Sequence, residues 1–195
     1  MGRPFDLSNL EAALDHVPAR PSSDYDLNPG VVLPEGRVLR PAAVLIGVLD
    51  DQVILTKRAS TLKHHPGQIA FPGGKVDAGE SLVQAALREA REEIGLDPSN
   101  VSVLAELPAH ETVTSYSVTP FLARIEAEFQ PRPEPGEVAE VFRAPLSFLM
   151  DPGNYAVEGR RWRGMRREYY VVPFGPYYIW GATARMLKSL ADRVA

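Results

Sequence analysis

Cysteine is absent from the 195 residues, which excludes disulfides, a thiolate nucleophile and a cysteine-based zinc site. Long apolar runs are lacking as well. The longest, Ala42 to Leu49, is far too short to span a bilayer. The first residues do not have the charged-then-apolar layout of a secretory signal. Met1-Gly2 opens like a myristoylation motif, but Asp6 stands where Ser or Thr is required, and the closing Arg193-Val194-Ala195 is no peroxisomal address. There is no basic excess either. A net charge of -4 argues against a general nucleic-acid binder, yet leaves an anionic small molecule open as substrate, because only the charge around a site matters for that. A soluble cytoplasmic protein with neither a nucleic-acid nor a membrane partner is the default expectation, with a small-molecule substrate and the form of a monomer or homodimer, a choice that the sequence leaves open.

What is present suits a soluble enzyme of one elaborated domain, with 45% hydrophobic and 24% charged residues. Leu7, Leu10, Ala13, Leu14 and Val17 recur at helical spacing behind a cap at Asp6 or Ser8. A proline-containing loop, 18–34, follows, so that residues 1–39 form a helix-and-loop extension laid over a main domain of residues 40–195. Ala42 to Leu49 and Val53 to Lys57 read as a hairpin turning at Asp50-Asp51. The glycine-rich stretch 67–79 is a loop with at most one short strand. Ser81 to Ile94 is a helix stopped by Gly95. Strands are expected at 101–107 and 115–125, a short strand with a turn of helix within 138–149, a hairpin from 155–162 and 168–174, and a closing amphipathic helix at 182–194. Strands before, between and after helices imply an α/β fold, a mixed sheet between helical layers.

The chemistry concentrates on the 81–94 helix. At 100° per residue Val83, Leu87, Ala90 and Ile94 form one apolar stripe, the expected core side. Glu89, Glu92 and Glu93 share another sector, since i, i+3 and i+4 are neighbours on a helix. A charge run of this kind is usually a solvated face. Here like charges repel at those spacings, and Glu92 and Glu93 sit at the negative end of the helix dipole. A hard divalent cation resolves that conflict, because Mg²⁺ takes oxygen ligands and couples carboxylates to phosphates.

Gly74, Glu80, Arg88, Glu89, Glu92, Glu93 and Gly95 occupy all seven fixed positions of a known pattern: Gly, five residues, Glu, seven residues, Arg-Glu, apolar, any, Glu-Glu, any, Gly. At about 7% usage per residue, chance gives this at roughly one start point in a hundred million. The segment resembles the Nudix box, with Ala90 a small occupant of the apolar slot. The resemblance implies a Nudix-type α/β/α sandwich and a pyrophosphohydrolase using Mg²⁺ or Mn²⁺. It implies Glu89 and Glu93 as metal ligands, with Glu92 sharing the metal or a second ion. Arg88 stands at i,i+4 to Glu92 and can orient it by a charge-assisted bond. Glu80 is similar to the family residue that supports the junction of loop and helix, and Gly73-Gly74 lie where a side chain would crowd the site.

Upstream, Leu55-Thr56, Arg58-Ala59, Gly67 and Phe71-Pro72-Gly73-Gly74 resemble the signature that precedes this box in coenzyme A pyrophosphatases. Lys63 stands where that signature has Arg, which keeps the charge and loses the bidentate fork. The segment Tyr178 to Ala184 looks like the same subfamily. Arg58, Lys63, Gly67, Gln68 and Gly73 are then the expected substrate-binding residues, within a basic run that includes Lys57, His64 and His65. Arg160, Arg161, Arg163, Arg166 and Arg167 around Trp162 form a second basic cluster that could grip phosphates, a partner or nothing, with a solvated surface as the first expectation. Trp180 is expected in the core, and His16 and His110 as isolated residues rather than ligands. The implied reaction is attack of water on one phosphorus, giving adenosine 3′,5′-bisphosphate and 4′-phosphopantetheine from coenzyme A. The proton goes to a general base, either a box glutamate or Glu137 or Glu140. ADP-ribose, NADH, dinucleoside polyphosphates and nucleoside di- or triphosphates are the alternative substrates. A binding-only domain has no need of three clustered carboxylates. A P-loop is excluded, because Val76 follows Gly74-Lys75 and no glycine lies five residues before.

Overall fold

The computed structural model describes residues 6–16, 20–162 and 164–194. Val17 of the expected first helix, Arg163 of the arginine cluster and the residues at both extreme ends lie outside that set. The elements in chain order are α1 (Leu7–His16), β1 (Ser22–Ser23), β2 (Arg40–Leu49), β3 (Gln52–Arg58), β4 (Ile69–Ala70), β5 (Gly73–Lys75) and α2 (Leu82–Ile94). Then come β6 (Val101–Glu106), β7 (His110–Glu111), β8 (Tyr116–Ile125), β9 (Val138–Pro145), α3 (Leu146–Leu149), β10 (Ala156–Trp162), β11 (Met165–Val171) and α4 (Gly181–Val194).

Local chemistry accounts for most of these boundaries. Asp6 caps α1: its carboxylate accepts from the Asn9 amide at 3.0 Å and the Asn9 side chain accepts from the Asp6 amide at 3.1 Å. These reciprocal bonds satisfy amides that a helix start leaves open. The β2–β3 hairpin turns at Asp50 and Asp51, both with positive φ (49° and 54°), the conformation that matches the twist of adjoining strands. Ser81 and Gln84 form a capping box on α2, and Gly95 ends it at φ 71°.

The long strands form one mixed sheet in the order β1-β7-β8-β2-β3-β4, with β5 also on β2, β6 on β8 and β9 on β3. The β2–β8 pair is parallel, from Arg40 opposite Tyr116 to Val48 opposite Arg124, and β1–β7 is the other parallel pair among the described residues. Along β2, Ala42, Ile46 and Val48 face a cluster with Leu7 and Leu10 of α1 and Leu187 and Leu190 of α4. Ala43, Leu45 and Leu49 face Ala85, Ala86, Ala90 and Ile94 of α2. Both faces of the sheet are covered, which is why β2 reads as an unbroken apolar run. The result is the α/β/α sandwich expected from the sequence.

Three departures concern short pieces. The stretch 67–79 holds two strands rather than one, because β4 and β5 each add to a long strand already present. The segment 18–34 contains β1, paired with His110–Glu111. The strand expected to be short within 138–149 runs eight residues, since it lies along β3 from Gln52 to Arg58. The 1–39 extension shares the main core through Leu7 and Leu10. Asn28 also bonds both the amide and the carbonyl of Glu168, each at 2.9 Å. No helix among the described residues is long and apolar enough to cross a membrane.

Candidate active site

The chemistry of α2 follows from how the helix lies on the sheet. Its buried residues are Ala85, Ala86, Ala90, Glu93 and Ile94, while Val83 and Leu87 are only half-buried. The core side is therefore rotated away from the expected stripe and toward the glutamates. Three alanines let the helix approach the sheet closely, and that approach carries Glu93 inward until it is 5% exposed.

Glu93 meets the glycine loop there. The Gly73 amide donates to Glu93 Oε2 at 3.1 Å. A Cβ on Gly73 would stand 2.4 Å from the Ala43 carbonyl oxygen, and one on Gly74 would stand 2.4 Å from Glu89 Oε1. At Gly73 the obstacle is backbone and no side chain fits, whereas at Gly74 a side chain would have to displace the Glu89 carboxylate. Burial pushes the Glu93 carboxyl up to about 7, the Gly73 amide and Arg58 opposing and the charges of Glu89 and Glu137 adding to it. Burial likewise raises Glu89, against the pull of Arg88.

Arg88 is the hub of the acidic side. Its Nε and Nη2 donate to the two oxygens of Glu80 at 2.9 and 3.1 Å, a bidentate pair. Its Nη1 donates to Glu89 Oε1 at 2.9 Å and to Glu92 Oε2 at 3.0 Å, and Nη2 also reaches the Lys75 carbonyl at 3.0 Å. One guanidinium thus ties β5, the loop before the helix and two turns of α2 together. Glu80 accepts further from the Asp77 amide at 3.1 Å, which fixes the loop.

The expected convergence of three carboxylates resolves into a pair and an outlier. Glu89 and Glu93 sit against Gly74 and Gly73, whereas the Glu92 side chain is 58% exposed and drawn to Arg88. Among the described residues no three His, Asp or Glu side chains form a ready-made cage. The pair still suits a hard divalent ion in donor type. All its ligands are oxygens, and Glu93 is a buried carboxylate with a single backbone donor, a costly arrangement that a cation relieves.

Two more groups complete this end. The loop before β9 caps the last turn of α2: the Arg132 amide donates to the Ile94 carbonyl and the Glu134 amide to the Glu93 carbonyl, both at 2.9 Å. The same loop brings exposed Glu137 close enough for its charge to be felt at Glu89 and Glu93. Glu140, the other base weighed from the sequence, is engaged by the Tyr177 hydroxyl instead. Arg58 also belongs here. Its charge acts on Glu93 and on His65, and its buried Nε has no hydrogen-bond partner.

Beyond Arg58 the surface changes character. Lys57, His65, Gly67, Gln68, Arg160, Tyr177, Tyr178 and Trp180 line an open cleft of about 660 Å³. Gly67 and Gln68, two of the expected substrate-binding residues, are part of its wall. Lys63 is exposed on the turn and lines no part of this cleft. Arg160, read from the sequence as a solvated charge, does line it, and so does half-exposed Trp180, which is therefore not a core residue. Trp180 meets Tyr169 edge-on, ring centroids 5.2 Å apart.

Sequence reasoning missed two fastenings. The buried Thr183 hydroxyl donates to the Ile69 carbonyl at 3.0 Å, so the start of α4 holds β4 in place. His110 is not isolated: it is fully buried, its ring nitrogens 2.9 Å from Ser22 Oγ and 3.0 Å from Asp24 Oδ1. Those partners lie 88 and 86 residues away, and no local pattern announces them.

A model described as the NUDIX domain matches residues 38–162, from just before β2 to the end of β10. The chain is 40% identical over 159 residues to an uncharacterized Nudix hydrolase NudL of Cronobacter sakazakii, covering 80% of this chain and 83% of that one. It is 39% identical over 159 residues to the NudL of an Enterobacter species, with the same coverage. Among solved structures, a MutT/nudix family protein from Enterococcus faecalis superposes with a TM-score of 0.52 at 17% identity, over 85% of this chain and 66% of that one. The MutT protein from Methanosarcina mazei Go1 gives 0.50 at 18% identity, over 82% and 97%. Likeness at that identity concerns the fold alone.

Proposed function

The chain belongs to the Nudix hydrolase family, and from that premise we propose that it hydrolyses the pyrophosphate of coenzyme A and its derivatives in the cytoplasm, with Mg²⁺ or Mn²⁺. Hydrolysis of pyrophosphate-containing small molecules with a divalent cation is the general chemistry of this family. The observation that supports the narrower reading is the place of Arg58. In the stretch 55–74, which resembles the coenzyme A signature, this arginine acts by its charge both on Glu93 of the acidic pair and on His65 of the basic, aromatic cleft, and its buried Nε has no hydrogen-bond partner.

Glu89 and Glu93, with Glu92 at their edge, are the residues that would hold the metal. When bound it neutralises phosphate charge and lowers the pKa of water. The residues of the chain do the rest. Arg88 keeps Glu89 and Glu92 oriented while Glu80 anchors Arg88 itself. Gly73 fixes Glu93 through its amide. Arg58 offers its guanidinium to a phosphate oxygen. Glu137, on the capping loop, accepts the proton of the attacking water. A new bond forms between water oxygen and phosphorus, the bridging P–O bond breaks, and 4′-phosphopantetheine and adenosine 3′,5′-bisphosphate leave.

The test is hydrolysis across a panel of coenzyme A, its thioesters, ADP-ribose, NADH, a dinucleoside polyphosphate and nucleoside triphosphates, read by product chromatography. Coenzyme A or a thioester is expected to give the highest kcat/KM. Turnover confined to the other diphosphates would overturn the substrate reading and leave the hydrolase reading intact.

A further inference from the structure

The cleft beyond Arg58 has no role in the hydrolytic step, yet its walls are chemically selective. Lys57, His65 and Arg160 line it together with Tyr178 and Trp180. At about 660 Å³ it lies within the range of small-molecule sites. Arg160 sits directly opposite Arg167 in the β10–β11 ribbon, and Arg161 opposite Arg166. Like charges in that relation destabilise a ribbon, and Arg160 makes no ion pair or hydrogen bond among the described residues. The Tyr178 hydroxyl donates to Glu158 at 2.6 Å and the Tyr177 hydroxyl to Glu140, which lies opposite Lys57 across the β3–β9 pair. Arg160 is therefore the wall's cation without an ion pair, set beside aromatic rings, a combination suited to a phosphate attached to a stacking base.

We infer that this cleft receives the 3′-phosphorylated adenosine end of the substrate, with Arg160 and Lys57 on the 3′-phosphate and the Tyr178–Trp180 side against the adenine. The inference rests on the coenzyme A reading and adds to it a specificity-determining residue on a hairpin outside the box. It fits the path of the chain. Gln68 lines the cleft and Gly73 touches Glu93, and the two lie five positions apart, at most roughly 18 Å of extended chain. A pyrophosphate held at the carboxylates is thus at most roughly that length of chain from one wall of the cleft that Arg160 also lines.

The experiment compares coenzyme A with 3′-dephospho-coenzyme A as substrates of the full chain and of Arg160→Ser. Arg160 is exposed, so the variant is expected to fold, and circular dichroism checks that. The wild type is expected to favour coenzyme A, and Arg160→Ser to lower the ratio of kcat/KM values at least about tenfold, through KM. That is the scale of one charge-assisted phosphate contact. Arg160→Lys should recover part of the ratio. An unchanged ratio overturns the inference. If the wild type turns over neither compound, the substrate reading falls on its own, and calorimetric titration with adenosine 3′,5′-bisphosphate decides the cleft. Binding that Arg160→Ser weakens upholds it, and absence of binding ends it.

Discussion

The two ends of the site are built on opposite plans. At the acidic end, from Gly73 to Ile94, charges are buried or locked: Arg88 serves three carboxylates and Glu93 rests on a backbone amide. At the basic end Lys57, His65 and Arg160 are exposed and come from separate segments. A locked array is preorganised for charge that changes during reaction. An open set of cations on flexible stems serves to attract and hold an anion, and each member contributes little alone. Changes at the acidic end should therefore appear in kcat and in stability, and changes at the basic end in KM.

The largest effect is expected from Glu93→Gln, which keeps shape and removes a charge. Its kcat should fall about a thousandfold or more, with Mn²⁺ binding by electron paramagnetic resonance weakened in parallel. Activity and metal affinity like those of the wild type would remove the distinction between the two ends. The same variant has a second consequence when a chelator keeps the protein metal-free. Burial holds the folded Glu93 carboxyl at about 7, above the ordinary 4.5. The folded chain binds more protons than the unfolded between those values, so stability falls as pH rises from about 4.5 to 7. Glu93→Gln should flatten that slope and stabilise the metal-free protein at pH 8 by up to about 3 kcal/mol, measured by denaturant melts across pH. An unaltered slope would mean that Glu93 is not the buried acid that this packing implies. Glu137→Gln is expected to lower kcat about a hundredfold while metal affinity holds, because Glu137 is exposed and bonded to no ligand carboxylate. Retained kcat would move the general base elsewhere. The smallest effect belongs to Lys57→Ala, a rise of about threefold in KM for coenzyme A with kcat unaltered. A fall in kcat instead would show that the basic end takes part in the chemical step.

The same contrast governs what the sequence could disclose. The acidic end is legible because seven residues at fixed spacing lie in one loop and one helix, so pattern and geometry nearly coincide. Even so, half of the face was misjudged. Ala90 and Ile94 are buried as expected, but small Ala85 and Ala86 take the place of large Val83 and Leu87 because close approach to a sheet favours small residues. The basic end is assembled from β3, the turn at 65–68, β10 and the segment 176–180. No window of sequence contains it, and Arg160 reads there as one more surface charge. The two-residue strands were invisible for a related reason: β4 and β7 exist as additions to long strands, and β1 depends on the equally short β7, nearly ninety residues on. The fold class itself was plain, since unbroken apolar strands alternating with amphipathic helices need cover on both faces of a sheet.

The amides of Arg132 and Glu134, bonded to the final carbonyls of α2, also bear on motion. A proline-rich loop would ordinarily fluctuate independently of a helix. Joined this way, the loop carrying Glu137 and the turn carrying Glu93 form one cooperative opening unit. In native-state hydrogen exchange those two amides should protect together with the last turn of α2, and loosening either partner should release both.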